Sequence, residues 1–332
     1  MDRFYDMSAA SRALENTVQQ RQAHNDRIFM HDIVTNDLQD ALDIHVNELD
    51  RPQEWCLFHN DDDAECEFVM QGIVCLTDLL PFKKRVKQVY DLSYIRISHT
   101  IHREHQAPYL RQSDAVTGFG TNTFKQSIKA MACIVAMFSQ DIGYARLNNV
   151  KFTSTYQSYP TIHLSNRYFS RRDQVLQRDE IEFDQNIDPF GLLSKMGGQK
   201  YCHAKENAVY YYENTSDSDG SLKYVDIKPS KIQVGDIVEV TFGFVAFPLS
   251  KGRVKITAML RSITLLDGTF TEESAAGRVL ANIMPRLSVK HGRKYLQEIE
   301  LAEDRNEEIM DGSNDSLDQM TVEANSSRDG DQ

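Results

Sequence analysis

Residues 234–267 read VGDIVEVTFGFVAFPLSKGRVKITAMLRSITLLD and constrain the fold more than any other stretch. The segment predicts two long strands joined by a tight turn at 250–253, SKGR. Val238, Val240, Phe242 and Phe244 alternate against Glu239, Thr241, Val245 and Phe247. In the second strand Val254, Ile256, Ala258 and Leu260 alternate against Arg253, Lys255, Thr257, Met259 and Arg261. One face is apolar and belongs to a core. The other is basic and hydroxyl-rich, and is expected to face solvent or a ligand.

The flanking sequence adds strand-like segments at 150–156, 161–164, 208–213 and 222–227. Residues 168–199 read as a charged, partly helical insertion. Upstream, 8–50 contains no Gly or Pro, with Ile28, Phe29, Ile33, Val34, Leu38, Leu42 and Val46 at spacings of three to four. That spacing predicts a long amphipathic helix or helical hairpin, capped by Ser8 or Ser11, that packs on the body or on a partner. The apolar run 68–80 is a buried strand or a short helix. Residues 83–94 read as helix, 113–123 as loop, and 124–137 as a buried helix with Thr121 or Thr123 as N-cap. The expected fold class is α+β. Its parts are a helical region over 1–53, a mixed segment over 54–147, a β-rich OB-like barrel or sandwich over 148–296, and a disordered acidic tail over 297–332.

Charge is unevenly distributed. The formal net charge is −12, yet the stretch from Glu298 to Gln332 holds twelve acidic residues and two arginines, a net of −10. The remaining 297 residues carry −2, so the acidic total does not exclude a polyanionic partner. The longest uninterrupted apolar run, AMACIVAMF over 130–138, is too short to cross a bilayer, and no membrane partner is expected. The N-terminal MDRFYDMSAASR lacks a signal-peptide core, which predicts an intracellular protein. The five cysteines form no CxxC pair and are expected to be reduced.

The hairpin resembles the strand pattern of phage-type single-stranded-DNA-binding OB domains, on the residues GDIVEVTFGFVAFPLSKGRVKITAMLRSITLLDG. It is also similar to segments in proteins of mushroom-forming fungi. The resemblance implies non-catalytic binding of single-stranded nucleic acid, with cations on phosphates and exposed aromatics under bases. The residues it points to are Lys251, Arg253, Lys255 and Arg261 for phosphates, and Phe247, Tyr210 and Tyr212 for stacking. An acidic tail on such a protein competes with nucleic acid or recruits partners. The alternative is a structural protein that forms homo-oligomers or binds a protein partner through the N-terminal helices.

Other motifs carry less. Lys83, Lys84, Arg85, Val86 and Lys87 resemble a nuclear import signal. His99, His102 and His105 are spaced by three but form no zinc motif, and neither metal nor cofactor is expected. Gly118, Phe119 and Gly120 lack the spacing of a nucleotide loop. Asp61, Asp62, Asp63, Glu65 and Glu67 lack EF-hand spacing and read as a solvated turn. No arrangement of nucleophile and base stands out, so the chain is not read as an enzyme.

Overall fold

A computed structural model describes residues 1–21, 27–33, 42–50, 53–61, 64–79, 107–143, 147, 153–216 and 222–281. The chain divides into two compact units, Met1–Ser274 and Ala275–Gln332. In the second unit the described residues, 275–281, are helical. In the first, helix α1 spans Met7–Arg21. Strands β1 (Ile28–Phe29), β2 (Ile44–Asp50), β3 (Gln53–His59) and β4 (Phe68–Asp78) follow. Next come β5 (Arg111–Thr117), α2 (Asn122–Ile142), β6 (Thr153–Tyr156), β7 (Tyr159–Arg167) and β8 (Ser170–Arg171). After these lie α3 (Leu192–Gly197), β9 (Tyr201–Cys202), β10 (Tyr210–Ser216) and β11 (Leu222–Asp226). The long pair, β12 (Ile237–Pro248) and β13 (Val254–Asp267), completes the order.

Eleven strands form one mixed sheet with the path β11-β10-β13-β12-β4-β5-β7-β6. β3 adds to the distal half of β12 and carries β2, while β1 lies parallel on β4. The sheet draws strands from Ile28 to Asp267 and so runs across the expected divisions at 53 and 147. The expected OB-like barrel is not closed among the described residues, because no ladder joins β7 to β13. A side chain bridges them instead. Asn166 Nδ2 donates to the carbonyls of Glu206 at 2.9 Å and Leu260 at 3.1 Å.

The apolar alternation of the hairpin does face the core. Val238, Val240, Phe242 and Phe244 share one cluster with Val254, Ile256, Ala258 and Leu260. The β12–β13 register skips Arg261 and Leu266, so β13 is bulged at each. The first bulge changes parity: beyond it Ile263 and Leu265 point to the core. At the turn, Lys251 and Gly252 adopt φ of 66° and 69°, a conformation glycine supplies cheaply.

The second face of β12 does not meet solvent as expected. Ile237 lies in a cluster with Leu14 and Val18 of α1. Val245 packs with Cys56 and Met259, with Leu49 and Phe58 of the β2–β3 hairpin against them. Every residue of β12 from Ile237 to Ala246 is buried. The apolar stripe of α1, Ala10, Leu14 and Val18, is thus spent on the chain's own sheet.

Helix does not extend over 8–50. α1 ends at Arg21, and Asp6, rather than Ser8 or Ser11, caps it by accepting from the Ala9 amide at 2.9 Å. Residues 44–50 pair with 53–59 as an antiparallel hairpin. There Ile44, fully buried, gains more from the sheet than from a helix surface. The run from Phe68 is a strand. Residues 111–117 are a strand and not a loop; Gln112, Asp114 and Thr117 are buried in it, and that polarity disguises it in the sequence. α2 lies where expected, N-capped by Thr121 through backbone geometry without a side-chain bond. Before it, a Cβ on Gly118 would come within 2.3 Å of Phe124 Cβ, so close packing requires this glycine.

Asp114 carries a testable consequence. Its side chain is almost wholly buried opposite Thr77 and Leu164, and burial pushes its carboxyl well above the usual range. The unfolded value is about 3.9. Keeping the group protonated costs nothing below that pH and costs more as pH climbs toward the folded value. Asp114→Asn is therefore expected to raise Tm more at pH 7 than at pH 4. Melts at both pH values check this; a pH-independent difference would contradict it.

Candidate nucleic-acid interface

Register places the aromatic candidates and the polar residues of the long strands on one face. Tyr210 pairs with Ser262, Ser262 with Thr241, and Thr241 with Val69. The next row is Tyr212, Thr264, Glu239 and Gln71. Directly paired residues project to the same side, so these eight share a surface. The Tyr210 and Tyr212 rings stack at 6.4 Å and 14°. Tyr224 from β11 meets Tyr212 edge-on at 6.2 Å and 79°. Tyr210 is 57% exposed and Tyr224 44%.

Beside the tyrosines, the Glu239 carboxylate is buried under three donors. Arg21 gives Nε at 2.7 Å and Nη2 at 3.0 Å, Arg27 gives Nη1 at 2.6 Å, and Gln71 gives Nε2 at 2.7 Å. Arg27 also donates to Thr241 Oγ1 at 3.2 Å. Arg21 donates to the Tyr224 hydroxyl at 2.7 Å and lies 5.9 Å from that ring's centre. Burial alone would raise the Glu239 carboxyl, but the bonds and charges of Arg21 and Arg27 hold it below the usual range.

The face continues into a groove of about 940 Å³ lined by Arg27, Glu65, Tyr210, Tyr212, Arg261 and Ser262, among others. The bulge turns Arg261 into it. Arg261 Nη2 holds Glu65 at 2.5 and 2.7 Å, and Nη1 donates to the Glu206 carbonyl at 2.7 Å. Glu67, Asp179 and Glu206 also line the groove, so its charge is mixed rather than basic.

The seven expected site residues separate into two groups. Tyr210, Tyr212 and Arg261 come together in the groove. Phe247, Lys251, Arg253 and Lys255 sit at the far end of the hairpin, where Phe247 pairs with Lys255. Lys251, Arg253 and Lys255 are exposed and Phe247 is half-buried. Lys255 and Ser262 are seven positions apart, a span of about 23 Å along the strand.

Sequence reasoning missed Arg21, Arg27 and Tyr224. One signal was present: Arg21 falls three residues after Val18 on the stripe of Ala10, Leu14 and Val18, and a charge there calls for a buried partner. Of the acidic cluster, Glu65 is the member engaged by Arg261. Among the described residues no group of His, Cys, Asp or Glu is arranged to hold a metal, and no helix is long and apolar enough to cross a membrane. The basic run at 83–87 and His99, His102 and His105 lie outside the described residues.

No protein-family model and no curated protein matches the sequence. Among solved structures, the crystal structure of gp2.5, a single-stranded DNA binding protein encoded by bacteriophage T7, aligns with 61% of this chain and 87% of its own. Identity over that alignment is 11% and the TM-score is 0.34, a likeness that fixes neither fold nor function.

Removing the Glu239 carboxylate leaves a buried guanidinium without its partner. Glu239→Ala is expected to cost about 3–5 kcal/mol in urea titration, and a loss below about 1 kcal/mol would contradict the buried tie. Because the folded carboxyl is held low, its contribution is present above the unfolded value of about 4.3 and is lost as pH falls through the folded value.

Proposed function

We propose that this protein binds single-stranded nucleic acid without catalysis, on the sheet face around Tyr210 and Tyr212. The observation that carries the reading is the stacked tyrosine pair, with Tyr210 largely exposed at an open groove. Large aromatic rings set side by side on a strand that is paired on both edges offer their faces to another flat ring. Nucleic-acid bases have such faces, and stacking on them tolerates any sequence.

Phosphates are met elsewhere on the same strands. Arg261 is engaged by Glu65, so the exposed cations Lys251, Arg253 and Lys255 at the hairpin tip take the backbone, with Phe247 beside them. The span from tyrosines to tip suits a strand of several nucleotides. Duplex is disfavoured, because its bases are already stacked on one another.

Anisotropy titrations with labelled single- and double-stranded oligonucleotides across a salt series test the reading. Tyr210→Ala is expected to weaken single-strand binding by about 1–3 kcal/mol. Replacing Lys251, Arg253 and Lys255 together by Ala is expected to reduce the slope of log K against log salt by about 2. Undetectable binding at low salt, or binding indifferent to both changes, overturns it.

A further inference from the structure

We infer that the Glu65 carboxylate gives the strand site a base preference, for cytosine and adenine over thymine and uracil. The inference rests on the single-strand reading above and goes beyond it by naming which bases the groove accepts.

Gly243 is the starting point. It is the one glycine within β12 and β13. A glycine inside a strand gives up packing and marks a place where something comes close to the backbone. Here that is Glu65: a Cβ on Gly243 would lie 2.5 Å from Glu65 Oε1. Two further features converge on the same carboxylate. A bridge between Glu65 and Phe58 fixes its backbone against β3. The bulge aims Arg261 at it, and Arg261 is itself anchored on the Glu206 carbonyl. Half-buried ion pairs add little to stability. The gap in β12 is therefore better explained by where it lets the carboxylate sit, on the wall of the groove that Tyr210 and Tyr212 also line.

A carboxylate only accepts hydrogen bonds, and two oxygens keep acceptor capacity beyond the bonds to Arg261. Tyr210 lies level with Thr241 across β13, and Gly243 is two residues further along β12, so about 10 Å across the strands and about 7 Å along them lie between Gly243 and Tyr210. A base stacked on Tyr210 and extending over β13 turns its polar edge toward Glu65. Cytosine and adenine bring an amino donor on that edge. Thymine brings one ring N–H set between two carbonyl oxygens, and those oxygens meet the carboxylate acceptor to acceptor. Glu67 and Glu206 on the same groove add a field of the same sign. Stacking alone does not discriminate among bases, so the edge contact decides.

The test is anisotropy with oligo-deoxycytidine, oligo-deoxyadenosine and oligo-deoxythymidine of equal length at about 50 mM salt. The expected result is about tenfold tighter binding of the first two than of the third. Glu65→Gln is expected to bring that ratio close to one, chiefly by improving binding of oligo-deoxythymidine. Freeing Arg261 strengthens all three alike, so the ratio is the readout. Gly243→Ala, which displaces the carboxylate while keeping its charge, is expected to lower the ratio too, and serves if Glu65→Gln does not fold. Equal affinities, a preference for oligo-deoxythymidine, or a ratio that survives both substitutions overturns the inference while leaving single-strand binding intact. Failure to bind any strand overturns the single-strand reading and this inference with it.

Discussion

The buried carboxylate of Glu239 is the interaction on which the surface of this protein depends. It sits in β12, a strand with buried residues on both faces, where an unpaired charge would be intolerable. Three donors offset that cost, and two of them arrive from the N-terminal segment. Arg21 can reach it because α1 lays its apolar stripe over Ile237 two residues away. Arg27 reaches on to Thr241 and the groove. One carboxylate thereby ties the last turn of α1 to β12, between the part of the sheet that α1 covers and the open groove.

That open face exists because the sheet does not close. At the seam between β7 and β13, buried amides answer the backbone: Asn166 bonds two carbonyls, and Gln112 links the Asn207 carbonyl to the Tyr211 hydroxyl. Closure by side chains leaves an edge of β13 free over Ser262–Leu265, and β10 adds there in parallel. The parallel addition sets Tyr210 and Tyr212 level with Ser262 and Thr264. Had a ladder closed the barrel at that edge, these tyrosines would have had no place beside Glu239.

How much of this is legible in the sequence follows from the range of each interaction. The apolar alternation of β12 and β13 and the periodicity of α2 are local, and both are realised. The bulge at Arg261 is not local, because it is set by the partner strand; parity counted from Val254 therefore fails beyond Leu260. β5 is hidden by its buried polar residues, of which Gln112 and Thr117 bond groups more than 40 residues further along the chain. The run 28–50 imitates helical spacing, yet Ile44 is buried in a hairpin whose second strand carries Trp55 and Leu57. At the candidate site the tyrosines and Arg261 were readable as residue types on strands. Arg21 and Arg27 were not, because the carboxylate they share is more than 200 residues away in the chain.

The same distances explain why a basic strand face, plausible by alternation, resolves into two regions of different character. Arg261 keeps its charge but is engaged by Glu65, so the groove offers mixed charge and aromatic faces. Among the described residues Lys251, Arg253 and Lys255 form no ion pair, and they stay exposed at the tip. Coulomb attraction reaches a polyanion from the tip at about a Debye length. Stacking acts only on contact. A single strand steered by the first and read by the second would touch the tip before the tyrosines, and salt would slow that encounter more than it would loosen the stacked bases.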